Sequence, residues 1–455
     1  MKRSFPLKFL VQAILLSILT ACGGGSDPDA QGGSPGPDTG IPGGQPPVEE
    51  PTQSTVLPRV YINTEGAQPV TSKDDYIDAV VRIESEVASE VTEVTTKIRG
   101  RGNTTWGMPK KPYRLKLDEA ASLLGMPAER NWALLANYSD KSLVRNKLGM
   151  TLGELAGLAY NPRSRYVEVY FNGQYEGVYE FFEHREVSPV RVNIDPIDKD
   201  TDTDPYAITG GWFLEADWRR DEDVCWDSSL NVTFCAKDPE LEQEDIADPS
   251  HPSYAQFNYI TTYINAAEQA LEQPGSAWTE YLDEDAAVNW YLVQELLRNN
   301  DANMHSSVFL YKPRGGKLFF GPLWDFDIAA GNIDYNGNDS PIGWYMRTAS
   351  PWHARLHENT DFTQRVFARW CELREQGVID GLADQVDKIV AGIDRAAIDR
   401  NFQRWPILGT YVWPNSFIGQ TYEEEVDFLK TWLTQRAEWM HAEYVAQYGE
   451  CPATH

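Results

Sequence analysis

Three aspartates bracket one short stretch of chain, and their placement limits the chemistry open to them. Residues 284–332 read EDAAVNWYLVQELLRNNDANMHSSVFLYKPRGGKLFFGPLWDFDIAAGN. Val288, Tyr291, Leu292 and Leu296 recur at helical spacing. Asn299-Asn300-Asp301 then ends that helix with residues favoured in turns. SVFLYK and KLFFGP alternate or run apolar on either side of Arg314-Gly315-Gly316, which predicts a hairpin. Asp301 lies just before the first strand; Asp325 and Asp327 lie just after the second. A hairpin returns the chain to where it began, so these carboxylates are expected within roughly 10 Å of one another. Close carboxylates repel unless a proton or cation intervenes, and a hard divalent ion such as Mg²⁺ is the natural occupant. The plainer reading makes each Asp a helix cap or turn residue.

The elements that must position them follow from the same patterns. VYINT, DAVVRIES, TTKIRGRG and PYRLKL read as strands, the last two joined by NTTWGMPKK. SDKSLVRNKLGMTLGELAG reads as a helix with Ser139 or Asp140 as N-cap. SRYVEVYFNGQYEGVYEFFEHRE reads as a hairpin turned by Asn172-Gly173. From 195 to 255 the chain is loop-rich and acidic; 254–300, 351–377, 383–404 and 421–447 read as mostly helical. The sum is an α+β chain with a β-rich opening and a helical second half. An Asp before a hairpin that leads to Asp325-Phe326-Asp327 is also the order of parts in a protein-kinase site.

Five pieces carry a resemblance to one family: KIRGRGNTTW followed by KKPYRLKL; NWALLANYSDKSLVRNKLG; VEVYFNGQYEGVYEFFEH; TGGWFLEAD; and NNDANMHSSVFLYK with KLFFGPLWDFDIAAGN. In this order they resemble the CotH (spore-coat protein H) kinase family, over about 57–445. The resemblance implies a two-lobed atypical protein-kinase-like fold, with a β-rich N-terminal lobe and a helical C-terminal lobe. It implies transfer of a phosphoryl group from ATP-Mg to Ser or Thr of a protein. Asp301 would be the catalytic-loop carboxylate, and Asp325 with Asp327 would hold Mg²⁺. The turn carrying Arg99, Gly100, Gly102 and Asn103 would cover the nucleotide. Lys116 would reach the phosphates, with Lys111 as its rival. Glu183 would meet the adenine or form a salt bridge. Asp140 and Arg145 match family positions without an assigned role.

The departures from the kinase pattern matter. Ser306 stands five residues after Asp301, where kinases carry a metal-binding Asn. The GRGNTTWG turn misses the spacing of a kinase glycine loop. A catalytically weak or inactive adhesion or scaffold protein on the same fold is therefore the alternative.

The rest of the chain bounds where this site works. Lys+Arg number 40 against 68 Asp+Glu, a net charge of −28, which excludes nucleic acid as the main partner. Lys2, Arg3 and Lys8 precede a short apolar run ending LTAC, the form of a signal peptide. That ending resembles a bacterial lipoprotein box, with Cys22 the lipidated residue and Gly23 pointing to the outer membrane or cell surface. The rival is an ordinary signal with Cys22 incidental. Residues 23–56 are rich in Gly and Pro and read as a flexible tether. The folded part is expected over 57–450: an N-lobe to about 190, an acidic insertion over 191–255, and a helical C-lobe from 256. Its four cysteines favour disulfides in an exported chain. Cys225 and Cys235 flank WDSSLNVTF, which reads as a small hairpin, so of three connectivities Cys225–Cys235 with Cys371–Cys451 is preferred over the others and over zinc. The Asp198–Asp204 alternation lacks the Gly and Glu of a calcium loop, and His353 with His357 lacks a third zinc ligand.

Overall fold

The computed structural model describes residues 56–85, 92–222 and 224–452. Cys22, the leader and residues 23–55 of the tether lie outside these. Among the described residues no helix is long and apolar enough to cross a membrane.

Strands β1 (Arg59–Thr64), β2 (Ile77–Glu84), β3 (Thr92–Gly100), β4 (Tyr113–Ala121), β5 (Glu129–Leu135), β6 (Ser164–Phe171) and β7 (Gln174–Glu183) close a barrel in the order β1-β2-β3-β4-β5-β7-β6. All neighbours are antiparallel except β1 and β6, whose parallel pairing seals the barrel. Period-2 alternation fills the interior: Tyr113, Leu115 and Leu117 of β4 point inward with Val60, Ile62, Val81, Ile98 and Trp132. Asn172 and Gly173 both take positive φ, 46° and 79°, the geometry of the tight turn predicted between β6 and β7.

A short helix, α1 (Thr104–Gly107), sits in the β3–β4 connection, and α2 (Arg145–Leu155) follows β5. Helix α2 begins later than the sequence suggested. Asp140 caps the entry from a distance, accepting from the backbone N–H of Ser142 and Arg145 at 3.1 and 2.8 Å. Leu143 between them is left-handed, with φ of 64°, so helical geometry cannot start before it.

The second sheet holds β8 (Trp212–Ala216), β9 (Cys225–Asp227), β10 (Thr233–Asp238), β11 (Val308–Lys312) and β12 (Phe319–Phe320), ordered β12-β11-β8-β10-β9 and antiparallel throughout. The segment expected to be a loop-rich acidic insertion thus supplies three of five strands. Trp212, Phe213, Leu214 and Ala216 of β8 are buried against the same core as β11. Helices α3 (Gln243–Ala247), α4 (Pro252–Leu271), α5 (Glu284–Leu296), α6 (Met346–Ala349), α7 (Pro351–Glu358), α8 (Thr360–Glu375), α9 (Leu382–Ala391), α10 (Arg395–Arg404) and α11 (Tyr422–Tyr448) complete the described chain. The α+β class stands.

Both expected disulfides are present. Cys225 and Cys235 face each other across β9 and β10, Cα atoms 4.1 Å apart; Cys371 of α8 holds Cys451 beyond α11, at 5.5 Å. His353 is buried between Trp290 and Tyr291 and hydrogen-bonded to Ser350 at 2.9 Å. It is a packing residue, as its spacing with His357 left open.

Candidate active site

The β11–β12 hairpin does what its sequence required. Asp301 lies in a single turn, Asn300–Ala302, after α5; Asp325 and Asp327 follow β12. All three line one cleft of about 450 Å³. The two ends of the hairpin are stitched together: Asn299 Nδ2 donates to the Asp325 carbonyl at 3.1 Å, and the Ala330 N–H donates to Leu297 at 2.7 Å.

Helix α2 fixes the rest of this loop. Phe326 packs onto Gly149, where an added Cβ would stand 2.4 Å from its ring; Gly153 likewise admits Leu323. The Phe326 N–H donates to Asn146 Oδ1 at 2.7 Å. Arg145 is fully buried, pairs with Asp140 at 2.6 Å, and donates to the carbonyls of Ala329 and Ala330 at 3.1 and 3.3 Å. Asp140 and Arg145 therefore form a structural pair that holds the chain just beyond Asp327. With its neighbours tied, Asp325 is kept at φ of 62°, a costly conformation for a non-glycine residue.

The acids are electrostatically crowded. Burial and then the Asp325 charge hold the Asp301 carboxyl up at about 6. Burial, followed by Asp325 and Asp301, pushes Asp327 well above the usual carboxylate range. Each would be relieved by a cation.

The opposite wall is cationic. Arg99, Gly100, Arg101, Gly102 and Asn103, from the β3–α1 turn, all line the cleft, as expected. Gly102 is required there: φ is 78°, and a Cβ would lie 2.0 Å from Thr105 Oγ1. Arg101 packs over the Trp324 ring at 5.3 Å. Burial pulls its guanidinium down to about 10, with Asp325 and Asp327 opposing, so it stays charged at neutral pH. Arg185 covers the same ring at 4.5 Å, and Arg114 joins the lining. These side chains, Arg101 aside from the turn as a whole, were not singled out in the sequence. Arg114 carried a legible signal, since it shares the outward face of β4 with Lys116.

Two expected nucleotide contacts fall elsewhere. Lys116 is exposed on β4, opposite Lys97 and Asn131, and does not line the cleft. The cleft opens at the Gly100–Tyr113 end of the hairpin, and three residues of strand carry Lys116 about 10 Å beyond it. Glu183 is fully buried and also outside the lining. It takes the salt-bridge alternative, accepting from Arg163 Nε and backbone N–H at 2.9 Å and from Tyr160 at 3.2 Å. The rival Lys111 donates to the Trp106 carbonyl at 2.6 Å. Lys110 does reach the lining, yet its ammonium is engaged by Asn401 Oδ1 at 3.0 Å and the Val178 carbonyl.

The donor set fits a metal–polyphosphate. The Nε atoms of Arg99, Arg114 and Arg185 and the Ser139 hydroxyl are buried at the cleft without a hydrogen-bond partner. Buried donors left unpaired are costly, and phosphate oxygens are acceptors of the right charge. Across from them, three carboxylates offer a divalent ion the oxygen ligands it prefers.

The family described as CotH kinase protein matches the chain over residues 98–440. That is most of the chain, and the protein belongs to this family. A search of curated proteins found no match.

Proposed function

We propose that the chain is an exported, kinase-like phosphotransferase that moves the γ-phosphoryl group of ATP to a Ser or Thr hydroxyl of a protein. The observation that carries this reading is the convergence of Asp301, Asp325 and Asp327 opposite Arg99, Arg101, Arg114 and Arg185 in one cleft.

Asp325 and Asp327 would hold Mg²⁺, which when bound supplies charge neutralisation at the phosphates. The chain's own residues do the remainder. Arg101, Arg114 and Arg185 bind and orient the phosphate oxygens. Asp301 takes the proton from the acceptor hydroxyl as its oxygen bonds to the γ-phosphorus. The bond from that phosphorus to the β-phosphate oxygen breaks, and its electron pair leaves on ADP. An Asp301 held near 6 is ionised at neutral pH and is a stronger base than an ordinary Asp. Positioning and charge do most of the work in such a transfer.

The address forms part of the proposal. Cys22 would carry the lipid, and the Gly/Pro-rich tether would space the folded part from the outer membrane. Changing Cys22 to Ser should release the protein from membranes; unchanged fractionation would remove the anchor from the account. The alternative, a silent scaffold, draws its support from the serine at 306. A thermal shift with ATP on the mature chain separates the two. The enzyme reading expects stabilisation only when Mg²⁺ is present, and no shift at millimolar Mg²⁺ would favour the scaffold.

A further inference from the structure

Ser306 occupies the position at which protein kinases place the Asn that holds a second metal ion. Its surroundings explain how the site manages without that amide. Ser306 is 2 % exposed, is not part of the cleft lining, and its Oγ is engaged by Arg219 Nη1. Arg219 itself lines the cleft and lies just beyond β8. The same Nη1 reaches both oxygens of Asp217, at 3.2 and 3.4 Å, and Asp217 also accepts the Arg219 backbone N–H at 2.9 Å. Asp217 is buried and faces the cleft. The guanidinium is thus pinned at two points while a quarter of the side chain stays open to the cleft side, 26 % exposed. It is also near enough to Asp301 to act on its charge, with its partner Asp217 opposing.

Resting on the phosphotransfer reading above, we infer that the Arg219 guanidinium takes the place of the second metal ion, so that this site works with one divalent cation. A fixed positive charge beside Asp301 meets the same need as a metal held by an amide: it offsets charge on the phosphoryl oxygens as they leave the nucleotide. A guanidinium is suited to this, being permanently charged and planar, with a fork of donors that matches phosphate. Ser306 and Asp217 are positioning residues; the serine hydroxyl is small enough to leave room for the cation where an Asn would project a ligand. The antiparallel pairing of β8 with β11 brings the two residues together, since Arg219 and Ser306 lie just beyond adjacent ends of these strands.

The test counts metal ions. Mn²⁺ is titrated into the mature protein with a nonhydrolysable ATP analogue, and bound Mn²⁺ per bound nucleotide is read by electron paramagnetic resonance. One Mn²⁺ per nucleotide is expected in the parent. Arg219→Met, matched in length but uncharged, should bind nucleotide within about threefold of the parent and lose phosphoryl transfer by about a thousandfold, the scale of an arginine that stabilises transferring phosphate. Arg219→Lys should recover part of that loss. Two Mn²⁺ per nucleotide in the parent, or Arg219→Met transferring at the parent rate, overturns the inference while leaving the kinase reading intact. A parent that binds no nucleotide overturns both. Should Arg219→Met fail to fold, the Mn²⁺ count on the parent still decides.

Discussion

Replacing Asp301 by Asn should make the metal-free protein more stable while removing its proposed catalytic base. Burial and then the Asp325 charge hold the Asp301 carboxyl up from its ordinary 3.8 to about 6. In that range the folded state keeps the proton to a higher pH than the unfolded chain does. The folded state therefore binds more protons between about pH 4 and 6, and stability falls as pH rises through that window. Above it the full penalty remains, about 3 kcal/mol for a displacement of this size. Asn cannot ionise and escapes the penalty. It also keeps an oxygen able to accept from Asn300 Nδ2, now at 3.3 Å. Urea denaturation in EDTA should give the variant an advantage of about 1.5 kcal/mol at pH 5 and about 3 kcal/mol at pH 8. Saturating Mg²⁺ should shrink the gap at pH 8, because a cation stabilises the ionised carboxylate of the parent alone. A variant no more stable than the parent at pH 8, or an advantage that ignores pH, would refute the claim that Asp301 is strained by its own charge.

Gly149→Ala should cost about 1–3 kcal/mol through overpacking against Phe326 and should weaken Mg²⁺-dependent ATP binding; a variant of parental stability would show that α2 does not fix the Asp325 loop. Arg101→Ala should lower ATP affinity by about tenfold or more, whereas Lys116→Ala should leave it unchanged, both read by calorimetry; the reverse order would restore the strand-lysine expectation. Cys371→Ser should lose about 4.5 kcal/mol by opening the loop to Cys451, 80 residues away in sequence, measured by urea denaturation; a loss under about 1 kcal/mol would mean the tail is held by packing alone.

What could be read from the sequence was what local chemistry decides. The Arg314-Gly315-Gly316 turn and its apolar flanks define a hairpin without reference to the rest of the chain, so the meeting of Asp301 with Asp325 was legible. The Asn172-Gly173 turn was legible for the same reason, and so was the Cys225–Cys235 pair, which closes a short loop. Strand β8 was not. It runs only 5 residues among Asp and Gly, and it exists because β11 supplies an edge more than 90 residues later. Lys116 shows a finer limit. Alternation gives the face of a strand, and Arg114 and Lys116 share it, but only the assembled barrel shows which end of β4 meets the cleft. The cationic wall was hidden for a similar reason. Arg101 and Arg185 meet on Trp324 from separate segments, and Arg219 gains its role from Ser306, 87 residues away.

On the proposed function, Asp325 and Asp301 share one metal–nucleotide cleft but do different work in it. Calorimetric titration of ATP with Mg²⁺ into the mature parent, Asp325→Asn and Asp301→Asn, paired with label transfer from γ-labelled ATP, tests this directly. The predicted result is Mg²⁺-dependent binding by the parent, a loss of about tenfold or more in Asp325→Asn, and parental binding without transfer in Asp301→Asn. Asp325→Asn binding ATP as the parent does, or Asp301→Asn still transferring phosphate, would contradict it.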